Sequence, residues 1–419
     1  MTASPETKKR TAMGGALGDW RSTAHGSPWL SPWVPARLRQ MSKASIAVNK
    51  GRLVSLFKDL CLINAPAREE RAAADFVITV LKEMGLEVWE DAAGEAVGGN
   101  SGNVIALLKA TKPEAPRIFL SAHLDTVEPT AGLKIIESDG RLSSDGNTIL
   151  GADDKGGVAP AIEAIRLIQE SGEPHGDVVL LFSICEEVGL LGAANVDLKE
   201  LNLDFGFVLD TGPPVGTFVT RTATHDMLNV TFIGRPAHAG KHPEEGINAI
   251  QVAADAVSRM KIGRIGPETT SNFGIVKGGT AVNVVCPSVT LFGEARSTDV
   301  SELNAQISHM KEACQAAADT WGAKVKFEYE RHYSSYNIPA EAKVVQVAQA
   351  AAQSLGLSGD LRTTLGGSDA NIYNAKGVAC VVVATGMEQI HTHDEYIAIE
   401  DLVKTAELTV ELIRESARS

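Results

Sequence analysis

The segment Ile118-Phe119-Leu120-Ser121-Ala122-His123-Leu124-Asp125 is a short apolar run that ends in a histidine and an aspartate. A run of this length without alternation is typical of a strand that is buried on both faces of a sheet. Further runs occur at residues 104–108, 178–184, 205–209 and 378–384, and amphipathic helix patterns lie between several of them. One of these patterns predicts a helix from about Val158 to Ile168, with Gly156 and Gly157 at its start. This alternation predicts an open α/β sheet that is covered by helices on both faces.

The ends of these runs carry residues that can bind metal ions. His123, Glu186, Glu187 and Asp210 follow three of the runs, and His391 lies seven residues beyond the last one. In open α/β sheets, ligands gather outside the carboxyl ends of the strands, so these side chains are expected to converge. Carboxylates and imidazoles stay solvated or repel unless cations hold them together, and this mixture suits zinc, with manganese or cobalt as substitutes. The pattern predicts a hydrolase with two metal ions.

Some of these motifs also have a purely structural explanation. A buried, hydrogen-bonded histidine would account for His123 alone. Asp125 lies on the same side of an extended chain, however, where a carboxylate commonly orients a metal-bound imidazole. The pair Asp153-Asp154 could be a loop with a helix N-cap, and Asp210 could be a turn residue before the glycine and prolines that follow it.

The pair Glu186-Glu187 is harder to explain without a metal ion. Two adjacent carboxylates at the mouth of a buried strand raise each other's pKa unless a cation stands between them. Adjacent positions also allow a division of roles, in which one carboxylate binds metal and the other stays free as a general base. No nucleophile motif competes, because Gly367-Ser368-Asp369 lacks the Gly-x-Ser-x-Gly elbow.

The composition argues against several classes of protein. The 419 residues carry a net charge of -13, which argues against a nucleic-acid partner because phosphate binding needs clustered Lys and Arg. No apolar stretch reaches the roughly 20 residues of a membrane span, so no membrane association is expected. The five cysteines are odd in number and scattered, which favours reduced thiols and a cytoplasmic location. Cys185 is interpreted as a small buried residue, because its motif contains no histidine to activate a thiol.

The chain is long enough for two domains, and its patterns change at three places. Residues 1–44 are rich in proline, glycine and serine, and we interpret them as a disordered extension or a mis-assigned start. Residues 45–218 are expected to form the first part of a catalytic domain, and residues 331–419 the second part. Between them, residues 219–330 follow the order β-α-β-β-α-β, which predicts an inserted ferredoxin-like domain.

Taken together, the motifs resemble those of the co-catalytic zinc exopeptidases, the family that includes peptidase T, carboxypeptidase G and the aminoacylases. The resemblance covers about residues 46–415. It rests on Ser-Ala-His-Leu-Asp-Thr-Val at 121–127, Gly-Ala-Asp-Asp-Lys-Gly-Gly at 151–157, Glu-Glu-Val-Gly at 186–189 and the late His391. It implies a zinc-exopeptidase-type mixed sheet flanked by helices, with 219–330 as a lid and dimerisation domain. The Ala237-His238-Ala239-Gly240 segment differs from the His-Pro-Gly of peptidase T, which places the chain among peptidase T-like relatives.

The resemblance also implies a metal site, with two zinc ions per subunit. The implied ligands, with Asp153 bridging both ions, are His123, Asp153, Glu187, Asp210 and His391. Glu187 and His391 would complete one ion, and His123 and Asp210 the other. Glu186 is the implied general base, and Asp125 the residue that orients His123. We prefer His391 to His393 as the ligand, because family members place an acid four residues after it, here Glu395.

Three residues of the inserted domain are implied to bind substrate in a homodimer. His238 would reach the substrate carbonyl across the dimer, and Asn283 and Arg296 would hold the substrate's carbonyl and terminal carboxylate. These features predict a cytoplasmic, zinc-dependent exopeptidase that acts as an aminopeptidase on short peptides. An amidohydrolase of N-acyl amino acids is the alternative, and a metal-stabilised peptide-binding protein without turnover is a third hypothesis. A binding protein, however, has no need of a free carboxylate such as Glu186 beside its ligands.

Overall fold

The computed structural model describes residues 47–419, so the extension predicted at residues 1–44 lies outside the described residues. The helices are α1 (Lys50–Cys61), α2 (Arg71–Glu83), α3 (Ala93–Val97), α4 (Ala152–Ser171), α5 (Leu191–Asn195), α6 (Leu198–Leu201), α7 (Ala249–Arg259), α8 (Val300–Trp321), α9 (Lys343–Ser354), α10 (Asp369–Ala375) and α11 (Ile399–Arg418), with a 3-10 helix at Pro243–Glu245. The strands are β1 (Glu87–Glu90), β2 (Val104–Leu108), β3 (Ile118–His123), β4 (Ile135–Ser138), β5 (Arg141–Ser144), β6 (Val178–Ser183), β7 (Phe205–Thr211), β8 (Phe218–Arg221), β9 (Thr224–Ile233), β10 (Gly263–Gly266), β11 (Thr269–Gly278), β12 (Ser288–Ser297), β13 (Lys324–Tyr333), β14 (Leu361–Thr363), β15 (Cys380–Ala384), β16 (Met387–Glu388) and β17 (Tyr396–Ala398).

The largest sheet has eight strands in the order β1-β2-β6-β3-β7-β15-β8-β14. Its central strands β6, β3, β7 and β15 run parallel to one another, whereas β2 and β8 pair with them in antiparallel fashion. The parallel arrangement brings the carboxyl ends of β3, β6 and β7 to the same edge of the sheet, so the residues that follow them meet there. The prediction of a mixed α/β sheet is confirmed.

Helices cover both faces of this sheet. Successive side chains of a strand point to opposite faces, and β3 shows the consequence. Ile118, Leu120 and Ala122 pack in one core with α1, α4, α9 and α11, whereas Phe119 packs in a second core with α5, α6 and α10. The ring of Phe119 meets that of Tyr373 edge to face, with 5.3 Å between ring centroids. Burial on both faces explains why these strands are continuously apolar in sequence.

The start of α4 differs from the predicted start at about Val158. The helix begins at Ala152, and its first turn is irregular because Asp153 has non-helical backbone angles (φ -80°, ψ 102°). Gly157 lies against β7, where a Cβ atom would stand 2.2 Å from the carbonyl oxygen of Leu209. The paired glycines therefore mark a close approach of the helix to the sheet, and not the beginning of the helix.

A second sheet has five strands in the order β10-β11-β12-β9-β13, and all of its pairs are antiparallel. α7 and α8 pack against it and share a separate apolar core with it. The chain order is β-α-β-β-β-α-β, whereas the sequence pattern predicted β-α-β-β-α-β. The additional element is the four-residue strand β10, which the pattern did not predict. β10 pairs only with the first residues of β11, so within the described chain one edge of β11 has no strand partner from residue 272 to 278. The assignment of this region as a lid and dimerisation domain stays a prediction.

A third sheet, in the order β16-β17-β5-β4, carries the last part of the site. The segment between β16 and β17, residues 389–395, includes His391. Within residues 47–419, no helix is long and apolar enough to cross a lipid bilayer.

Candidate active site

Five side chains that can bind metal meet at the carboxyl edge of the eight-stranded sheet. The elements that carry them are distant in sequence: the end of β3 for His123, the first turn of α4 for Asp153, the loop after β6 for Glu187, β7 for Asp210 and the segment before β17 for His391. β6 itself ends at Ser183, so Glu186 and Glu187 stand on a loop and do not close the strand as the sequence pattern suggested.

These side chains form two groups that share one carboxylate. In the first group, ligand atoms of His123, Asp153 and Asp210 lie within 4.8 Å of one another, and the same holds for Asp153, Glu187 and His391 in the second. One oxygen of Asp153 lies 3.1 Å from Nε2 of His123, and the other lies 3.1 Å from Nε2 of His391. Asp153 therefore faces both groups at once, which is the arrangement that a bridging ligand requires.

The charges at this edge fit divalent cations. Burial raises the pKa of Asp210 well above its usual value, and the negative charge of Asp153 adds to the effect. Hydrogen bonds to Asp153 and Glu187 raise the pKa of His391 to about 10, so protons supply part of the positive charge that the cluster needs. Oε1 of Glu187 is buried and has no hydrogen-bond partner among the described residues. A spare carboxylate oxygen beside imidazole and carboxylate ligands suits zinc or a similar ion.

Contacts to Nδ1 fix the orientation of the His123 imidazole. Its Nδ1 lies 3.0 Å from the backbone carbonyl oxygen of Asp125 and 3.4 Å from the carboxylate of the same residue. The same carbonyl oxygen is 3.3 Å from Nζ of the fully buried Lys155, which also donates to the carbonyl of Leu124 at 2.5 Å. These contacts leave Nε2 facing Asp153, and outer contacts of this kind fix the orientation of a metal-binding histidine.

The carboxylate of Asp125 has a second role that the sequence did not predict. Its Oδ1 accepts a hydrogen bond from the backbone amide of Glu186 at 3.0 Å, and its Oδ2 accepts one from the amide of Glu187 at 3.1 Å. Because Asp125 follows β3 and the two glutamates follow β6, this carboxylate ties together the ends of two neighbouring strands. It holds both glutamates in register with His123.

Glu186 lies in an environment that raises the pKa of its carboxyl group. Its side chain lines the cavity beside the metal-binding groups. Burial raises the pKa of Glu186 well above its usual value and the charge of Asp210 acts in the same direction, although His123 opposes them. A carboxyl group with a raised pKa can take up and release a proton nearer neutral pH.

The thiol of Cys185 is not a competing nucleophile. Burial and the carboxylate of Glu70 raise the pKa of Cys185 to about 12, which keeps the thiol protonated near neutral pH. The interpretation of Cys185 as a buried structural residue is therefore confirmed.

The histidines near the carboxyl end of the chain have different surroundings. His391 reaches the ligand cluster, whereas Nε2 of His393 lies 2.8 Å from the carboxylate of Glu128, away from that cluster. Glu395 is buried and accepts the backbone amides of Leu150, Gly151 and Asp153, at 2.7 to 2.9 Å. Glu395 therefore fastens the His391 segment to the turn that carries Asp153.

A cavity of about 560 Å³ opens over the ligand cluster, and its opposite wall comes from the five-stranded sheet. Arg296 in this wall donates from Nη2 to Glu294 at 2.9 Å, and from Nη1 to the hydroxyl of Tyr333 and the carbonyl of Leu365, both at 3.2 Å. His225 lies 3.0 Å from the same Glu294. The wall is thus a network that presents a cation to the cavity.

The structure does not bring every predicted residue to this cavity. His238 and Asn283 are exposed and lie next to each other, since the amide of Ala239 donates to the carbonyl of Asn283 at 2.9 Å. Neither of them lines the cavity within the described chain. Conversely, His225, His332 and Tyr333 line it and were not predicted, because they lie in strands whose alternation looks like that of any half-buried sheet.

Comparisons with known proteins show which family the chain belongs to. The family model of peptidase family M20/M25/M40 matches residues 119–415. The chain is 38% identical to the uncharacterized protein YqjE of Bacillus subtilis (strain 168), over 88% of this chain and 100% of that protein. The structure of this chain is similar to that of aminopeptidase PepT from Bacillus cereus ATCC 10987 (39% identity, TM-score 0.81), and the match covers 88% of this chain and 99% of the other. It is also similar to a tripeptidase from Staphylococcus aureus Mu50 (36% identity, TM-score 0.85, 89% and 100%).

The chain therefore belongs to peptidase family M20/M25/M40 and is a peptide hydrolase. Within that family it is peptidase T-like, as its similarity to PepT indicates.

The tie made by Asp125 predicts the behaviour of one variant. Asp125→Asn keeps one acceptor oxygen but places an amide N–H₂ against the backbone amide of Glu186 or Glu187, so one of them is displaced. We expect kcat/KM to fall about 10- to 100-fold, the usual effect of removing such an outer contact. Asp177→Asn is the matched control, because Asp177 also accepts a backbone amide, that of Ala110, but at the amino end of β6. Equal kcat/KM values for Asp125→Asn and Asp177→Asn would contradict this role.

Proposed function

We propose that this chain is a zinc-dependent aminopeptidase of the peptidase T type, which releases an amino acid from short peptides. The observation that carries the proposal is the position of Asp153, whose two oxygens face different histidines of two ligand groups. Beside them, Glu186 lines the same cavity on the loop that carries Glu187. Similarity to an aminopeptidase and to a tripeptidase, at 39% and 36% identity, supports the type of substrate.

The ligand groups suggest which residues would hold which ion. Glu187 and His391 would hold one zinc ion, His123 and Asp210 would hold the other, and Asp153 would contact both. When bound, two such ions supply an activated water and polarise the carbonyl that is attacked. Cobalt or manganese could substitute, because the donor set contains only oxygen and nitrogen atoms.

The protein's own groups would move the proton and hold the substrate. Glu186 would take a proton from the attacking water and return it to the leaving nitrogen, which its raised pKa favours. Arg296 lies in the opposite wall of the cavity and would attract the terminal carboxylate of a peptide. Asn283 would hold the substrate carbonyl only if it belonged to the site of a second subunit, because it is exposed in its own chain.

Variants of the adjacent glutamates should separate proton transfer from metal binding. Glu186→Gln keeps the size of the side chain but removes the base, so we expect kcat to fall by about 10²- to 10⁴-fold with metal content unchanged. Glu187→Gln should also lose activity, but with a lower metal content by elemental analysis, because Glu187 belongs to a ligand group. Near-normal turnover by Glu186→Gln would show that the base is another residue.

A second candidate function shares the same cavity. An N-acyl amino acid also has a terminal carboxylate, which Arg296 could bind, so a deacylase is the alternative. The third hypothesis, a metal-stabilised binding protein without turnover, does not agree with membership of a family of peptide hydrolases, and it gives no reason for the free carboxylate of Glu186 beside the ligand groups.

A panel of matched substrates distinguishes these functions. We expect turnover of dipeptides and tripeptides with a free amino end, and a loss of at least about tenfold in kcat/KM when that end is acetylated. Amidation of the carboxyl end should also weaken binding, because it removes the charge that Arg296 attracts. Preference for the acetylated compounds would support the deacylase, and equal turnover of the free and acetylated compounds would contradict the aminopeptidase.

We also propose a homodimer and a cytoplasmic location. The unpaired edge of β11 lies beside a groove of about 520 Å³ that is lined by apolar residues of α7, β11 and β12. Within it Ile250, Ile275 and Val276 are each more than half exposed, which is unusual for a surface without a partner. The five cysteines are buried as free thiols, as is common in a reducing compartment.

In such a dimer, His238 would complete the partner's active site. Mixing His238→Ala with Glu186→Gln subunits creates one site with an intact base from one chain and an intact His238 from the other. We expect each mutant homodimer to be nearly inactive and the heterodimer to recover up to about half of wild-type activity. Absence of recovery after demonstrated subunit exchange would place His238 in its own subunit's site or outside catalysis.

A further inference from the structure

The loop after β6 that carries Glu186 is held by side chains at four successive positions. Each backbone amide from residue 184 to residue 187 donates a hydrogen bond to a side-chain oxygen. The pairs are Ile184 to Asn103 Oδ1 (3.1 Å), Cys185 to Glu70 Oε1 (3.0 Å), Glu186 to Asp125 Oδ1 (3.0 Å) and Glu187 to Asp125 Oδ2 (3.1 Å). The backbone amides of a surface loop commonly bind water or carbonyl groups of the same loop. Here, in contrast, side chains of distant segments bind four successive amides.

The carbonyl groups of the loop are occupied as well. The oxygens of Ile184, Cys185 and Glu186 accept the amides of residues 192, 191 and 190, at 3.0, 3.1 and 2.8 Å. At Gly192 an added Cβ atom would stand 2.3 Å from the carbonyl oxygen of Ile184, so this contact is as close as backbone allows. The peptide groups on both sides of Glu186 therefore have little freedom to rotate.

Glu70 makes its contribution from the beginning of α2. Its side chain is fully buried, and its Oε1 accepts the amide of Arg68 (2.9 Å) together with the amide and the thiol of Cys185 (3.0 and 3.2 Å). Cys185 has a φ of +53°, a conformation that residues with a side chain adopt rarely and only when neighbours hold them there. Oε2 of Glu70 is buried without a partner among the described residues, so the useful contacts all belong to one oxygen.

Asn103 holds the adjacent residue from the beginning of β2. It is fully buried, and its Oδ1 accepts the amide of Ile184. Its Nδ2 donates to Asp91 at 2.7 Å and to the carbonyl of Gly192 at 3.0 Å. Asn103 thus binds both ends of the segment 184–192, which contains Glu186.

We propose that Glu70 and Asn103 are positioning residues for Glu186, which act by fixing the backbone of residues 184 and 185. The proposal rests on the role of Glu186 as general base. A base must lie within hydrogen-bond reach of the proton that it takes, and a displacement of about 1 Å can cost on the order of 10² in rate. Neither residue touches the ligand groups, and the amide of Glu187 keeps its own bond to Asp125 when either residue is removed. We therefore expect the removal to affect proton transfer much more than metal or substrate binding.

The direct test compares Glu70→Leu with Glu70→Gln. Leucine removes the acceptor, whereas glutamine keeps an oxygen at the position of Oε1 and only exchanges the unpartnered Oε2. We expect Glu70→Leu to lower kcat about 10- to 100-fold, with KM and zinc content within about twofold of the wild type. Glu70→Gln should restore kcat to within about threefold. In hydrogen–deuterium exchange, the peptide that covers residues 184–187 should exchange faster in Glu70→Leu only.

The control is Glu163→Leu, because Glu163 is an equally buried carboxylate that binds Arg52, away from the loop. It should lower the melting temperature without lowering kcat. Asn103→Ala tests the neighbouring amide independently and decides the matter if Glu70→Leu does not fold. We expect it to lower kcat about tenfold or more, again at unchanged KM.

Two results would overturn the proposal. One is a kcat within twofold of the wild type in folded Glu70→Leu, or in Asn103→Ala if only that variant folds. The other is an equal loss in Glu70→Gln and Glu70→Leu, which would make the charge and not the hydrogen bond responsible. Failure of the proposed function is distinguishable, because it would leave Glu186→Gln active while the exchange of residues 184–187 in Glu70→Leu still rose.

Discussion

The main constraint on this structure is that it must hold several mutually repelling acidic side chains together at one edge of a sheet. Asp153, Glu186, Glu187 and Asp210 meet there, and burial raises the pKa of Asp210 and of Glu186. Taking several carboxylates out of water is unfavourable unless positive charge accompanies them. His123 and His391 supply part of that charge, and Asp153 lies between them. Two divalent cations would satisfy the same acids more completely.

The rest of the fold holds these groups in place against their repulsion. Parallel strands bring the ends of β3, β6 and β7 together, and side chains behind the cluster then fix each loop. Asp125 ties the loop of the two glutamates to the end of β3, and Glu395 ties the segment of His391 to the turn of Asp153. Lys155, fully buried, places a positive charge against the carbonyl groups of residues 124 and 125. Each tie joins segments that lie at least 30 residues apart in sequence, so the site depends on long-range contacts.

The site residues that follow strands could be predicted from the sequence, whereas the side chains that fix the loops could not. The residues that follow the apolar runs predicted that His123, Glu187 and Asp210 would converge, because parallel strands place their carboxyl ends at one edge whatever lies between them. The start of α4 was misplaced, since Asp153 interrupts the helical angles for a reason that lies in the site and not in the local pattern. The cavity wall that contains His225 and Tyr333 was not predicted, because its strands show the sequence alternation of ordinary half-buried strands. Glu70 and Asn103 were missed for the same kind of reason: their partners are peptide groups about 80 to 115 residues away, and any side chain with an oxygen could serve.

We propose that one carboxylate, that of Asp153, would serve two metal ions, and zinc stoichiometry measures this most directly. Protein stripped with a chelator and titrated with zinc, with bound metal counted by elemental analysis, should bind two ions per chain. His391→Ala, which removes a ligand of one group only, should retain about one ion, whereas Asp153→Asn should weaken both sites together. If Asp153→Asn still binds two zinc ions with wild-type affinity, or if the wild-type chain binds only one, Asp153 does not bridge two metal ions.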